Sequence, residues 1–371
     1  MATVRDIARS LGVSPATVSR SLNQPTVVRK DVRDQVVAEA KRIGYRAPKR
    51  KPTRSEGGDV SKPVRPGMLG MLFFNASSGL PFSGYDAIVW GGVARAAISL
   101  KFGVTVVDPL SRRSGETYAD FAERLGVDGF VVRVDEGTRQ RGLDIALQDV
   151  PHVVVADRYD DEQVSYAFCN SYDASRSAIE HLLSLGHQRI GLGHNTVLDT
   201  DHHDRLRAYR DTLAAHGLEA DPRLVIPAAA DMRGGASVFN QLLSLPEPPT
   251  AIFFTDPAMT VSALRRSLEV GISVPDELSI VGVDDEHLRE TTFPVYTAVC
   301  QEAEQLGFHA ARWLCRQIGS PASSGSATRS SVRVDVPLHH QQDAVLEVNQ
   351  TTAPRPTHPA RIAPSGQRLN A

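Results

Sequence analysis

The chain has 371 residues, two to three times an ordinary domain of ~100–200, so more than one domain is expected. Hydrophobic residues make up 41% and charged residues 23%, a globular mix that excludes a disordered or membrane-embedded chain. The net charge of -2 hides a division: residues 1–66 carry 15 Lys or Arg against 6 Asp or Glu, and the remainder 26 against 37.

A basic end of +9 on an acidic body of -11 suits a nucleic-acid-binding head, because clustered cations release counterions from a phosphate backbone. The opening, MATVRDIARSLGV, has no long apolar core, and the expected protein is soluble and cytoplasmic, nucleoid-associated when bound to DNA. Three short helices fit residues 1–46. Thr3 can cap the first, whose apolar positions Val4, Ile7, Ala8 and Leu11 repeat at helical spacing. Gly12 and Val13 make the turn, and Ser14 caps a second helix with Pro15 at its first position. A third helix is predicted over about 31–43, stopped by Gly44. This is a trihelical core around a helix-turn-helix.

Residues 47–66 are basic and proline-rich and read as a hinge or linker. From Met68 short apolar strands alternate with helical stretches: MLGMLFF, VTVVD, GFVVRV, HVVVAD, RIGLGH, AIFFTD and LSIVGVDD. That alternation predicts a two-lobed α/β body of parallel sheets over 67–340. Such sheets bind ligands at the carboxyl ends of their strands, here marked by Asn75, Asp108, Arg133, Asp157, His194, Asp256 and Asp284. The serine-rich stretch at 320–331 reads as an exposed loop. Residues 341–371 are polar and proline-rich, without leucine heptads, and are expected to be a disordered tail rather than an oligomerising coiled coil.

The head carries D-I-A-x-x-x-G-V-S-x-A-T-V-S-R-x-L-N and a downstream I-G-Y, and so resembles the DNA-binding domain of the lactose-repressor (LacI) family. The residues agree with that resemblance. A helix starting at Pro15 fits a major groove with its amino end towards the base edges, and Arg20 can give a bidentate contact to guanine. Thr17, Ser19 and Asn23 are short polar groups suited to phosphates, and the capping residues Thr3 and Ser14 are also counted among the DNA-binding residues. The resemblance places base reading on Pro15, Ala16 and Arg20; at the first two it must be apolar, against a thymine methyl. Family members usually follow this head with a short hinge helix whose leucine wedges into the minor groove. Here Pro52 interrupts that helix and no apolar wedge remains, so Lys49, Arg50, Lys51 and Arg54 are expected to enter the minor groove or touch phosphates.

The body resembles the family's effector-binding region, similar to periplasmic sugar-binding proteins. The islands that carry this are Val127-Asp128-Gly129, Ala156-Asp157-Arg158, EHLLSLGHQRIG, Arg205-Leu206-Arg207-Ala208-Tyr209, PTAIFFTD, GISVPDELSIVGVDD and Val299-Cys300-Gln301. The resemblance implies a first lobe of roughly 67–168 plus 299–319 and a second of roughly 169–298 plus 330–340. Carried over by position, the effector residues fall on Tyr85, Asp86, Asp157, Arg205, Asp256 and Asp284, with Arg133 added as an odd charge at a strand end. Carboxylates with an arginine fork suit a ligand rich in hydroxyls. Phe82, Tyr85, Trp90, Phe254 and Phe293 are candidates to cover an apolar sugar face. An anionic ligand would lean on Arg133, Arg158 and Arg205 instead.

No G-x-G-x-x-G, P-loop or G-x-S-x-G elbow is present, and neither His202-His203 nor His339-His340 makes a convincing metal pair, so no enzyme, cofactor or metal is expected. The reading is a sequence-specific regulator, a repressor by the family's majority behaviour, binding a near-palindromic operator as a homodimer and responding to a sugar-like effector. The alternative is a ligand-independent DNA-binding protein with a degenerate cleft.

Overall fold

A computed structural model describes residues 3–23, 30–43, 67–74, 84–148, 150–197, 199–285, 288–319, 336–363 and 365–369. Contacts divide the chain into two units, Met1–Val64 and Arg65–Ala371, and the boundary falls within the expected linker. Among the described residues no helix is long and apolar enough to cross a membrane.

The first unit holds α1 (Val4–Leu11), α2 (Pro15–Asn23) and α3 (Lys30–Arg42). A capping box starts α1: the Thr3 hydroxyl accepts from the Asp6 amide, and the Asp6 carboxylate accepts from the Thr3 amide at 2.9 Å. Gly12, at φ 66°, ends the helix in the left-handed conformation that glycine tolerates. Ser14 accepts from the Thr17 amide at 3.1 Å and so caps α2 ahead of Pro15. Ile7, Ala8, Val18, Val36 and Ala40 form the core, flanked by Val4, Leu11, Val13 and Ile43. Glu39 of α3 ties the helices together, accepting from the Ser10 hydroxyl at 2.5 Å and from Arg42 at 2.6 Å.

The second unit contains two parallel-stranded lobes. The first uses β1 (Gly67–Phe73), α4 (Gly84–Ser99), β2 (Phe102–Val107), α5 (Tyr118–Leu125), β3 (Gly129–Arg133), α6 (Gln140–Ala146), β4 (His152–Val155) and β5 (Tyr166–Asn170). The chain then builds the second from α7 (Ser171–Ser184), β6 (Ile190–Asn195), α8 (Thr200–Ala215), β7 (Val225–Ala228) and α9 (Met232–Leu243). β8 (Ala251–Phe254), α10 (Pro257–Val270), β9 (Ser279–Asp284) and β10 (Thr297–Cys300) complete that run. α11 (Ala303–Gly319) returns to pack on α4, and β11 (His339–Asp343) and β12 (Val345–Glu347) close the two sheets. The strand orders are β11-β5-β4-β3-β1-β2 and β12-β10-β9-β8-β6-β7, and every pairing is parallel except β10 with β12.

Alternate residues of each inner strand serve opposite faces, as the two-residue period of a strand requires. Leu69, Met71, Val131 and Val153 face α4 and α11, whereas Leu72, Phe130, Val132 and Val154 face the other way. Ile252 and Phe254 lie in one core of the second lobe and Ala251 and Phe253 in the other. This two-sided burial is why these strands read as continuous apolar runs. α4 and α11 approach closely because Gly92 and Gly307 meet each other's backbone: a Cβ at Gly92 would strike the Glu304 carbonyl, and one at Gly307 the Val89 carbonyl.

Two expectations need correction. The stretch 330–340 was assigned to the second lobe, yet β11 pairs with β5 in the first, and it is β12 that joins the second. The tail, expected to be disordered from residue 341, instead runs along the second lobe. Thr351 is buried, donates to the Ile280 carbonyl at 2.6 Å and accepts from the Thr297 amide at 2.8 Å. The Ala353 carbonyl pairs with His187 Nε2 at 3.0 Å, and Ala360 and Ile362 enter the core beside α9 and α10. Hydrogen bonds and small buried groups hold this segment, and neither leaves an apolar periodicity in the sequence. The serine-rich stretch 320–331 lies outside the described residues.

Candidate DNA-reading helix and effector cleft

In the head, Thr3, Ser14, Pro15 and Ala16 are exposed at the amino ends of α1 and α2, and Thr17 is half-buried. The hydroxyls of Thr3 and Ser14 serve as caps, and Ser14 also shares a 2.8 Å hydrogen bond with the Thr17 hydroxyl. Val18 is fully buried and fixes the face that α2 turns inward. Arg20 falls one helical turn beyond Ala16 on α2. The side chains of Ser19, Arg20 and Asn23 lie outside the described residues, as do Lys49, Arg50, Lys51 and Arg54 entirely.

Between the two lobes a set of buried polar side chains converges from the ends of β3, β4, β9 and β10 and the starts of α4, α8 and α10. Asp86 pairs with Arg133 at 2.9 Å, and Arg133 also donates to the Val155 carbonyl at 3.1 Å and reaches Asp199 of the other lobe at 3.7 Å. Its guanidinium lies 5.2 Å from the Tyr85 ring centre. Ala156, at φ 61°, holds a backbone conformation unusual for a non-glycine residue and presents Asp157. Asp157 accepts from the Thr200 hydroxyl across the cleft and from the Arg158 amide at 2.8 Å, with Arg139 at 3.2 Å. Burial pushes its carboxyl above the usual range.

Arg205, almost wholly buried, donates to the Thr255 carbonyl at 2.8 Å and to Gln301 at 3.1 Å. Asp256 stands at the amino end of α10 but its side chain makes no cap; it faces His202 Nε2 at 3.3 Å. Further bonds cross between the lobes: Arg158 forks onto Asp204 at 2.5 and 3.0 Å, and Glu136 meets His203 at 3.3 Å.

Asp284 does not belong to this set. It accepts from Arg289 Nη1 at 2.7 Å and from the Leu288 and Arg289 amides at 3.0 and 3.3 Å, so it caps the turn Leu288–Thr291. Arg289 in turn grips Glu347 of β12 at 2.6 Å. The neighbouring Asp285 takes the cleft position, accepting from Gln301 Nε2 at 2.6 Å, and burial lifts its carboxyl to about 6.

Sequence reasoning also missed the start of α8. Asp199 caps that helix through the His202 amide and accepts from His202 Nδ1 at 2.7 Å. Burial opposes charge on both groups, but their attraction prevails: Asp199 lies well below the usual carboxylate range and His202 is raised to about 10. Asp201 behaves oppositely, because burial and the neighbouring Asp199 charge lift it to about 7. Three buried polar atoms here have no hydrogen-bond partner: Asp201 Oδ1, Tyr85 Oη and Arg205 Nε. The signal for Asp199, Asp201 and His202 was an acidic helix start, D-T-D-H, beginning four residues past a strand end.

Of the proposed aromatic covers among the described residues, only Tyr85 reaches the cleft. Phe254 is core, Trp90 packs against the first-lobe core, and Phe293 is 86% exposed. Asn75 and Phe82 lie outside the described residues. Asp108 caps a short turn through the Leu110 amide, and His194 bonds the Asn195 carbonyl. The arginines offered to an anionic ligand are engaged by carboxylates or carbonyls of the protein itself. His202 and His203 diverge, one into the cleft and one to the surface, and among the described residues no group of three or more His, Cys, Asp or Glu could hold a metal ion.

Comparison with known proteins agrees with both halves. A family described as "Bacterial regulatory proteins, lacI family" matches residues 3–47, and "Periplasmic binding protein-like domain" matches 179–338. The chain is 24% identical over 324 residues to the probable HTH-type transcriptional repressor ExuR of Bacillus subtilis, covering 86% of this chain and 93% of that one. It is 27% identical over 333 residues to the HTH-type transcriptional repressor CytR of Escherichia coli, covering 88% and 92%. Among solved structures, a transcriptional regulator CelR–cellobiose complex aligns with a TM-score of 0.63 at 24% identity, over 95% of this chain and 100% of that one. A LacI family regulator from Enterococcus faecium with bound ribose gives 0.63 at 20% identity, over 77% and 99%. With a capped helix-turn-helix at one end and a two-lobed body closing on a polar cleft, this chain is similar over most of its length to HTH-type transcriptional repressors, its head matches the lacI family of bacterial regulatory proteins, and it is a DNA-binding transcriptional regulator.

Proposed function

We propose that this regulator is a cytoplasmic repressor that binds a near-palindromic operator as a homodimer and is modulated by a small, neutral or weakly charged, polyhydroxylated effector in the interlobe cleft. Arg20 reads guanine, Pro15 and Ala16 supply apolar contacts, and Thr17, Ser19, Asn23 and the basic hinge residues Lys49, Arg50, Lys51 and Arg54 position the phosphates. The observation that carries the effector reading is the trio of buried, unpartnered atoms on Asp201, Tyr85 and Arg205. An orphaned buried polar atom costs about 1–3 kcal/mol, so a cleft with three of them favours a ligand that donates and accepts hydrogen bonds. Tyr85, Asp86, Arg133, Asp157, Asp201, Arg205, Asp256 and Asp285 are the contact set of this proposal. The sugar-bound relatives named above support the ligand class.

Effector control follows from the bonds across the cleft. A ligand that joins Asp201 and Asp285 to Tyr85 and Arg133 favours one interlobe angle, and that angle sets the spacing of two heads in a dimer. The test is fluorescence anisotropy of the full chain on a labelled operator, titrated with hexoses, pentoses, disaccharides and nucleosides. A change in operator affinity with one class supports the reading. Unchanged affinity across the panel favours ligand-independent binding.

A further inference from the structure

The cleft holds more negative charge than its own cations neutralise, and the surplus lies on one side. Arg133 is committed to Asp86, and His202 lies between Asp199 and Asp256. Arg205 points its donors at the Thr255 carbonyl, Gln301 and Ser171, and makes no ion pair. Asp201 and Asp285 are thus left without a bonded cation, both buried, and Asp201 Oδ1 has no partner of any kind. The groups facing Asp201 are Asp199, His202 and Arg205 at the start of its own helix, and Arg133, Arg158, Tyr85 and Cys169 from the first lobe.

Resting on the effector reading above, we propose that the effector carries a protonated amine that sits on the Asp201 carboxylate with the Tyr85 hydroxyl as its neighbour, beside hydroxyls that reach Arg205: an amino sugar or a similar polyhydroxylated amine. An ammonium group supplies both missing elements, a donor for Asp201 Oδ1 and a charge for the Asp199–Asp201 pair. A hydroxyl supplies only the donor. A carboxylate or phosphate would enter against Asp199, Asp201 and Asp285 and find Arg133 already engaged. The unpartnered Arg205 Nε calls for an acceptor on the same ligand, which a sugar hydroxyl or ring oxygen provides.

Proton linkage gives a second signature. Burial and the Asp199 charge lift the Asp201 carboxyl to about 7, so below that pH seating an ammonium there expels its proton. Binding therefore releases protons at about pH 6.5, tightens as the pH rises towards about 7 and weakens again at higher pH as the sugar amine loses its own proton. Neutral ligands show neither.

The experiment is calorimetric titration of the full chain with D-glucosamine, D-galactosamine and D-mannosamine, each beside its N-acetyl derivative and its parent hexose. At least one amine is expected to bind about tenfold or more tightly than both its neutral counterparts, with proton release that depends on buffer ionisation enthalpy. Asp201→Asn should erase that preference, with circular dichroism showing the fold intact; the comparison on the unaltered chain decides the matter if the variant fails to fold. A parent hexose that binds as well as its amine overturns the amine assignment and leaves the effector reading standing. No binding by any amine overturns the assignment, and silence from the neutral sugars and nucleosides as well removes the effector reading with it.

Discussion

Two adjacent carboxylates should respond to mutation with opposite signs. Asp284 is fully enclosed and receives one guanidinium and two amide hydrogen bonds. Asp284→Ala removes all three and leaves Arg289, itself buried, with Glu347 and the more distant Glu290 as its remaining partners. Breaking a buried ion pair costs about 3–5 kcal/mol, and the surviving Glu347 contact brings the expected loss to about 2–3 kcal/mol. For a body of this size that is roughly 4–8 °C in melting temperature. Asp285 is different. Burial has lifted its carboxyl to about 6, above its unfolded value, so the proton it keeps stabilises the fold at low pH. That contribution is lost as pH rises through about 6, and at about pH 7.5 the buried carboxylate is a net cost. Asp285→Asn keeps an acceptor for Gln301 and removes the charge, and should stabilise by about 1–3 kcal/mol at pH 7.5, fading towards pH 4. Differential scanning calorimetry of both variants across that range reads the contrast. The reasoning is refuted if Asp284→Ala melts like the unaltered chain, or if Asp285→Asn at pH 7.5 is destabilised as much as Asp284→Ala.

Other substitutions test separate parts of the account. Gly307→Ala drives a methyl into the Val89 carbonyl of α4, and overpacking of this kind should cost about 1–3 kcal/mol in thermal melts, whereas Gly91→Ala on the open side of α4 should cost nothing. Ending the chain after residue 347 removes Thr351, Ala360 and Ile362 from the second lobe and should lower its melting temperature by several degrees; an unchanged melt would mean that the strap adds no stability. Arg158→Ala leaves Asp204 with only Arg207 and removes a bond between the lobes, so small-angle scattering should report a more open body.

The helices of the head were legible because their signals are local: Thr3 with Asp6, Gly12, then Ser14 before Pro15. The inner strands were legible because a parallel strand buried on both faces is apolar throughout. The site was legible in part, since Asp86, Arg133, Asp157, Arg205 and Asp256 follow strands or open helices and do converge. The exchange of Asp284 for Asp285 was not. Which of two adjacent acids turns inward depends on Arg289 and on Glu347, 63 residues further along, and no local pattern encodes that. Asp201 and His202 were hidden for a related reason, because a charged helix start ordinarily faces solvent and here meets the opposite lobe. The tail was misread because Thr351, His187 and Ser279 hold it through polar bonds, which composition alone assigns to disorder.

The most direct test of the central claim is selection of duplexes from a random pool by the full chain, followed by the same selection with Arg20→Ala. The account predicts near-palindromic sites whose half-sites share a guanine that Arg20→Ala no longer enriches, at a cost of about 1–3 kcal/mol per half-site. Recovery of no enriched sequence, or of the same sites with and without Arg20, would contradict sequence reading by α2.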